Sequence, residues 1–182
     1  MITDIRLAGQ QLAAPRFDTP KKLISWMGAI QAQDYAMARW AVGIRLKSAT
    51  ARSVGEAFSR GEILRTHVMR PTWHLVAAED IRWMLKLSAR RIRSANESLA
   101  KGRQLELTEQ LHYRCDRLLE KMLEGNRNLT KQQIGEELNR QGIAADTPRL
   151  TRLLMRAETE AVVCSGPFSG GKQTYALLEE RV

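Results

Sequence analysis

The chain has 182 residues, 43% hydrophobic and 27% charged, with a net charge of +9. That composition supports a folded core and excludes a disordered chain, and no apolar run approaches the roughly 18 residues of a helical membrane span. Cys115 and Cys164 stand far apart with no metal spacing about either, which argues against a disulfide framework or a zinc site and fits a reducing, cytosolic compartment.

The amino terminus, Met1-Ile2-Thr3-Asp4, lacks the basic-then-apolar order of a secretory signal. Charge is unevenly distributed. Residues 1–100 hold 16 Lys+Arg against 8 Asp+Glu, whereas residues 101–182 hold 13 against 12. A basic surplus confined to one half points to a polyanion, and nucleic acid is the commonest one; the bland alternative is an arginine-rich solvated face.

In chain order, Thr3 to Gln11 reads as a short helix capped by Thr3, with Ile5, Leu7 and Leu12 as its apolar contacts. Thr19-Pro20 opens a second helix whose stripe is Leu23, Ile24, Met27 and Ile30. After Gln31-Ala32-Gln33 a helix over about 36–46 is expected to bury Met37, Trp40, Ala41 and Ile44. Another, over 51–59, turns Val54, Ala57 and Phe58 inward and ends at Gly61. Two strand-like runs follow, Ile63–Met69 and Thr72–Val76, parted by Arg70-Pro71.

A long helix from Ala78 to about Leu99 starts on Glu79-Asp80 and carries Ile81, Met84, Leu85 and Ile92 as its stripe. Lys101-Gly102-Arg103-Gln104 is the boundary. The order then repeats: a helix over 108–123, a helix over 131–141 capped by Thr130 and stopped by Gly142, and a helix from Asp146-Thr147-Pro148 to about Glu160. Strand-like runs Ala161–Ser165 and Gln173–Leu178 flank a glycine-rich tip. Three helices and a hairpin, twice over, predict a mainly α fold (α+β by its small wings) of two tandem winged-helix units, 1–100 and 104–182.

Within the last long helix, Leu150, Leu153 and Leu154 face one way while Arg149, Arg152 and Arg156 share another face. Such a helix suits phosphate contact or major-groove reading, and Lys172 at the glycine-rich tip lets backbone approach a phosphate chain. That tip lacks a Walker pattern, so nucleotide hydrolysis is not expected. His67 and His74 lie on adjacent runs and suit a phosphate or base contact better than a metal. Trp26, Trp40, Trp73 and Trp83 sit in apolar contexts that favour core packing, although strand alternation could turn Trp73 outward. Gln31 and Gln33 are no general bases; a carboxamide can hold a water and set a dipole against a developing cation. Spacing alone reads them as surface residues.

The runs Gly28-Ala29-Ile30-Gln31-Ala32-Gln33-Asp34-Tyr35, Trp40-Ala41-Val42-Gly43 and Arg65-Thr66-His67-Val68-Met69-Arg70-Pro71-Thr72-Trp73-His74-Leu75-Val76 resemble a bacterial family of tandem winged-helix DNA-binding proteins. Leu153-Leu154-Met155-Arg156-Ala157-Glu158 and Gly171-Lys172-Gln173-Thr174-Tyr175 extend the resemblance into the second half. The family includes the crosslink-unhooking, azinomycin-resistance DNA glycosylases that excise bulky alkylated bases. The resemblance implies a glutamine–small residue–glutamine catalytic motif at Gln31 and Gln33. Some relatives carry aspartate at the second position; this chain keeps Gln33. Family members continue into a third winged helix and a β-rich domain, so this chain looks like the two N-terminal winged helices.

The expectation is therefore duplex-DNA binding with family-implied excision of alkylated or crosslinked purines, in the cytoplasm at the nucleoid. Gln31 and Gln33 act on the sugar cation; Arg65, Arg70, His67, His74, Arg149, Arg152, Arg156 and Lys172 contact DNA; no metal, nucleotide or other cofactor takes part. The competing expectations are a transcription regulator and an inactive DNA-binding relative.

Overall fold

Six of the helices begin on a Thr or Asp whose side chain caps them, and the computed structural model describes residues 1–182. Helix α1 (Ile2–Gly9) buries none of its residues, and Ile5 and Leu7 stay exposed because no element covers them. It is anchored by the terminal ammonium on Asp4 at 2.6 Å, not by a Thr3 cap. In α2 (Pro20–Met27), Thr19 accepts from the Lys22 amide and proline occupies the first turn. Gly28 then takes φ +77°, a left-handed value that ends a helix. The next residues leave as strand β1 (Ala29–Gln31), so Ile30 reaches the core from a strand and not from the expected helical stripe.

Helix α3 (Tyr35–Gly43) is rotated from its expected face. Ala38 and Val42 are buried, while Met37, Trp40 and Ile44 are exposed. Tyr35 sets that rotation: its ring lies 5.1 Å from Phe58 and 4.4 Å from Phe168, and residues at i, i+3 and i+7 share its side. Helix α4 (Ala51–Ser59) buries Val54, Ala57 and Phe58 as its pattern requires. Strands β2 (Ile63–His67) and β3 (Trp73–Ala77) pair antiparallel, and β1 adds to the other edge of β3. Helix α5 (Ile81–Gly102) follows one 3-10 turn and buries Ile81, Met84, Leu85 and Ile92.

The second half runs α6 (Glu109–Leu123), β4 (Leu129–Thr130), α7 (Lys131–Arg140), α8 (Thr147–Thr159), β5 (Val163–Ser169), β6 (Lys172–Leu177) and α9 (Leu178–Arg181). Thr108, Thr130 and Asp146 cap α6, α7 and α8 through their side chains. Its sheet order, β4-β6-β5, matches β1-β3-β2 of the first half. The fold is α+β, with two three-stranded antiparallel sheets in place of two bare hairpins. No helix is long and apolar enough to cross a membrane.

Each half has its own apolar cluster, around Phe58 and around Leu119. A third joins them: Leu64, Val68, Val76, Ile81, Met84 and Leu85 pack with Cys164 and Leu178. Phe168, from β5, also enters the first cluster beside Tyr35 and Phe58. Three of the four tryptophans, Trp26, Trp40 and Trp83, are about half exposed, contrary to the expected core packing.

Cys115 and Cys164 are buried, and burial pushes both thiols up to about 12. The thiolate is the nucleophile, so at pH 8 the folded protein should react negligibly with an aromatic disulfide reagent and yield two thiols per chain only after denaturation. Rapid native labelling would contradict this burial.

Candidate functional site

The edge of the first sheet presents the two glutamines. Ala32 is fully buried, and its amide donates to the Trp73 carbonyl at 2.7 Å, so alternation turns Gln31 and Gln33 outward together. Both are exposed. Arg70 Nη2 donates to Gln31 Oε1 at 3.2 Å, and the Trp73 amide donates to Gln33 Oε1 at 3.3 Å. Because both partners are donors, each carboxamide oxygen faces inward to the protein and each Nε2 has no protein partner. Each oxygen keeps a second lone pair. The pair can hold a water and present dipoles in a fixed orientation.

Arg65, on β2, holds this edge from beneath. Its Nε donates to the Ala32 carbonyl at 2.9 Å and its Nη2 to the Gln33 carbonyl at 3.0 Å. Nη1 bonds Gln173 Oε1 from β6, and the guanidinium carbon lies 4.6 Å from the Trp73 ring centroid. The Arg65 amide donates to Ser165 Oγ at 2.8 Å. All three guanidinium nitrogens thus serve internal partners, so the side chain expected to contact phosphate is turned inward. Burial lowers its pKa, yet an arginine so placed stays charged.

The two histidines are also interior, 5% and 2% exposed, and not at the surface where a DNA contact is expected of them. His67 Nδ1 lies 2.6 Å from Glu158 Oε2, and its ring centroid is 3.9 Å from that of Trp73. His74 is the cross-strand partner of Gln31, and its Nδ1 donates to the Thr72 carbonyl at 2.8 Å. Burial lowers the pKa of His74, with Arg70 and His67 adding to the effect, so it is neutral at pH 7. Arg70 remains exposed on the β2–β3 turn, just after Met69 at φ +63°.

The arginines of α8 do not form an open front. Arg156 donates to both oxygens of Glu109 at 3.1 and 3.0 Å and meets Glu160 at 2.8 Å. Arg149 donates to the Glu106 carbonyl at 3.0 Å. Arg152 sits beside Met155, and its carbonyl accepts from Asn96 of α5 at 2.9 Å. The cause is that α8 packs against α5 and α6 as well as its own sheet, which buries Met155, Glu158 and Thr159 beyond the leucine stripe. Lys172 is exposed, next to the Gln173 that meets Arg65.

Gln31, Gln33, Arg65, Arg70, His67 and His74 therefore gather around one sheet, and Lys172 approaches them through the second hairpin. Sequence reasoning missed Trp73 as the hub, and Ser165, Gln173 and Glu158 as partners; these lie 91 to 108 residues away from the side chains they meet, so no local pattern marks them. Arg52, Lys86, Arg90 and Arg91 are exposed cations with no carboxylate partner. A groove of about 370 Å³ includes Tyr35, Arg39, Arg52, Phe168 and Gly171 in its lining and begins two residues beyond Gln33.

Comparison with known proteins places these features in context. The family model described as DNA glycosylase AlkZ-like matches residues 24–182. Among solved structures, Streptomyces sahachiroi DNA glycosylase AlkZ matches with a TM-score of 0.75 at 20% sequence identity, over 95% of this chain and 47% of that one. The chain thus spans about half the length of that structure, and the likeness is one of fold. No curated protein matches by sequence.

Beside the Arg156 cluster, burial holds the Asp116 carboxyl up at about 6, against an ordinary 3.8. The folded state then binds this proton more tightly than the unfolded chain, so Asp116 makes stability fall as pH rises from about 4 to about 6. Asp116→Asn should remove that decline: urea midpoints of variant and parent, compared at pH 4 and pH 7, should shift in favour of the variant at the higher pH.

Proposed function

The chain belongs to the AlkZ-like DNA glycosylase family, and on that premise we propose that it binds duplex DNA and excises alkylated or crosslinked purines, with Gln31 and Gln33 as its catalytic pair. The observation that carries this reading is the fixed pair of exposed carboxamides at one sheet edge, each oxygen held by an internal donor. The helix order and three-stranded sheet of each half support tandem winged helices over 1–100 and 104–182, and the +9 charge supports a polyanion. Such a protein works at the nucleoid, in the cytoplasm.

N7 alkylation leaves a purine cationic, so the base departs with the electrons of its bond to the sugar C1′ and becomes neutral. A sugar cation remains. The second lone pair of each carboxamide oxygen holds a water beside that cation, and this water forms the new C1′–O bond and gives its proton to solvent. No strong base is needed, since water attacking a cation is made acidic by the bond it forms. We assign phosphate contacts to Arg70 and Lys172, with Arg39 and Arg52 along the adjoining groove. Arg65, His67 and His74 support the edge from within; Arg149, Arg152 and Arg156 act mainly on the packing of α8.

The deciding assay uses a duplex with a single N7-methylguanine. The parent should leave an abasic site, and Gln33→Ala should slow excision by about 100-fold or more while duplex affinity changes less than about threefold. Intact binding with no abasic product from the parent would overturn the glycosylase reading. Lys172→Ala should weaken duplex binding and reduce the slope of log K against log salt by about one, as loss of one phosphate contact requires.

A further inference from the structure

Gln33 is held in place from the other half of the molecule. We infer that Glu158, on α8, is a positioning residue for Gln33 and acts through His67 and Trp73; the inference rests on the glutamine reading above. Glu158 is 1% exposed, and its carboxylate has one hydrogen-bond partner, His67 Nδ1 at 2.6 Å. A carboxylate so deeply buried is tolerated only when paired, and a paired one fixes the orientation of its donor. Here the donor is an imidazole whose ring lies 3.9 Å from the Trp73 indole, centroid to centroid.

Trp73 is the residue on which the glutamine edge depends. Its carbonyl receives the Ala32 amide at 2.7 Å, and its amide reaches Gln33 Oε1 at 3.3 Å. The second of these bonds is long and exposed, so its survival follows from how firmly the indole is held. Two groups hold it: the imidazole oriented by Glu158, and the Arg65 guanidinium at 4.6 Å. Arg65 is itself tied to Gln173 and Ser165 of the second half. The charged or titratable groups that feel Glu158 are Arg65, Cys164 and Tyr175, besides its partner His67. An apolar pair in place of Glu158 and His67 would seal the same interface but leave the ring free to turn. The hydrogen bond is one of two links from the second half to Gln33, beside the one through Arg65.

The test uses the full chain with Trp26, Trp40 and Trp83 changed to Phe, so that Trp73 alone fluoresces. In Glu158→Gln the amide oxygen still accepts from His67 Nδ1–H, so acrylamide quenching of Trp73 and single-turnover excision of N7-methylguanine should stay within about threefold of the parent. Glu158→Leu, and the double variant His67→Phe with Glu158→Leu, should expose Trp73 to acrylamide. Both should lose excision by about tenfold or more with duplex Kd moved less than about threefold. The double variant leaves no unpaired buried charge and keeps the test decisive where the single one does not fold. Unchanged Trp73 quenching in the double variant, or excision that falls in step with thermal stability and affinity in Glu158→Gln too, overturns the inference. A parent that excises nothing, with Trp73 responding as expected, supports the link from Glu158 to Trp73 and fails the glutamine reading instead.

Discussion

The Arg65 guanidinium is the constraint on which the rest depends. Three nitrogens donate to three oxygens: two main-chain carbonyls in the glutamine segment and the Gln173 carboxamide on the opposite hairpin. Lysine could not replace it, because one ammonium on a flexible stem cannot serve three acceptors in fixed directions beside an indole. A half-buried cation is costly without partners, and here each donor has one. The energy of desolvation is therefore converted into geometry: it fixes where residues 32 and 33 lie.

That geometry makes the two halves one object. Separate units joined by a linker would each close their own core and meet through a small polar surface. Here a shared apolar cluster, the insertion of Phe168 beside Tyr35 and Phe58, and the Glu158–His67 pair cross between them. The consequence reaches the chemistry. Helix α8 is drawn into the interface, so its arginines meet Glu109, Glu160 and a main-chain carbonyl, while exposed cations without carboxylates remain on α4, α5 and both hairpin turns. The unpaired positive charge then lies on those elements and not on the helix whose sequence looks most basic.

Under the proposed function, two carboxamides must act without transferring a proton. A glutamine cannot take a proton, but it can be aimed. The Trp73 amide and Arg70 fix which end of each carboxamide points inward, so the group is oriented in advance and needs no reorganisation to hold a water on its free lone pair. In the proposed reaction, where the leaving base is already cationic, orientation is the larger need. His74, neutral and buried across the strand from Gln31, adds no charge of its own to that edge.

The sequence by itself determined most of the scaffold. Hydroxyl and aspartate caps, proline in first turns, and glycines at Gly61 and Gly142 mark helix ends through local backbone chemistry, and apart from Thr3 they are found where those rules put them. The motif at Gln31 and Gln33 was legible too, though only as a resemblance. What tertiary structure alone decided was which side of each element faces inward and which polar groups meet. Gly28 could have been a weak point in a helix or its end; pairing of Ala29–Gln31 with β3 selects the end, since a strand there gives the backbone partners that a longer helix would lack. Trp40 and Met37 follow an apolar pattern, yet Tyr35 anchors α3 in another rotation. Arg65, Arg156 and His67 read as DNA contacts and Glu158 as an ordinary charged residue, because a side chain's partner is set by spatial packing, and partners tens of residues or more away leave no periodic trace in the chain.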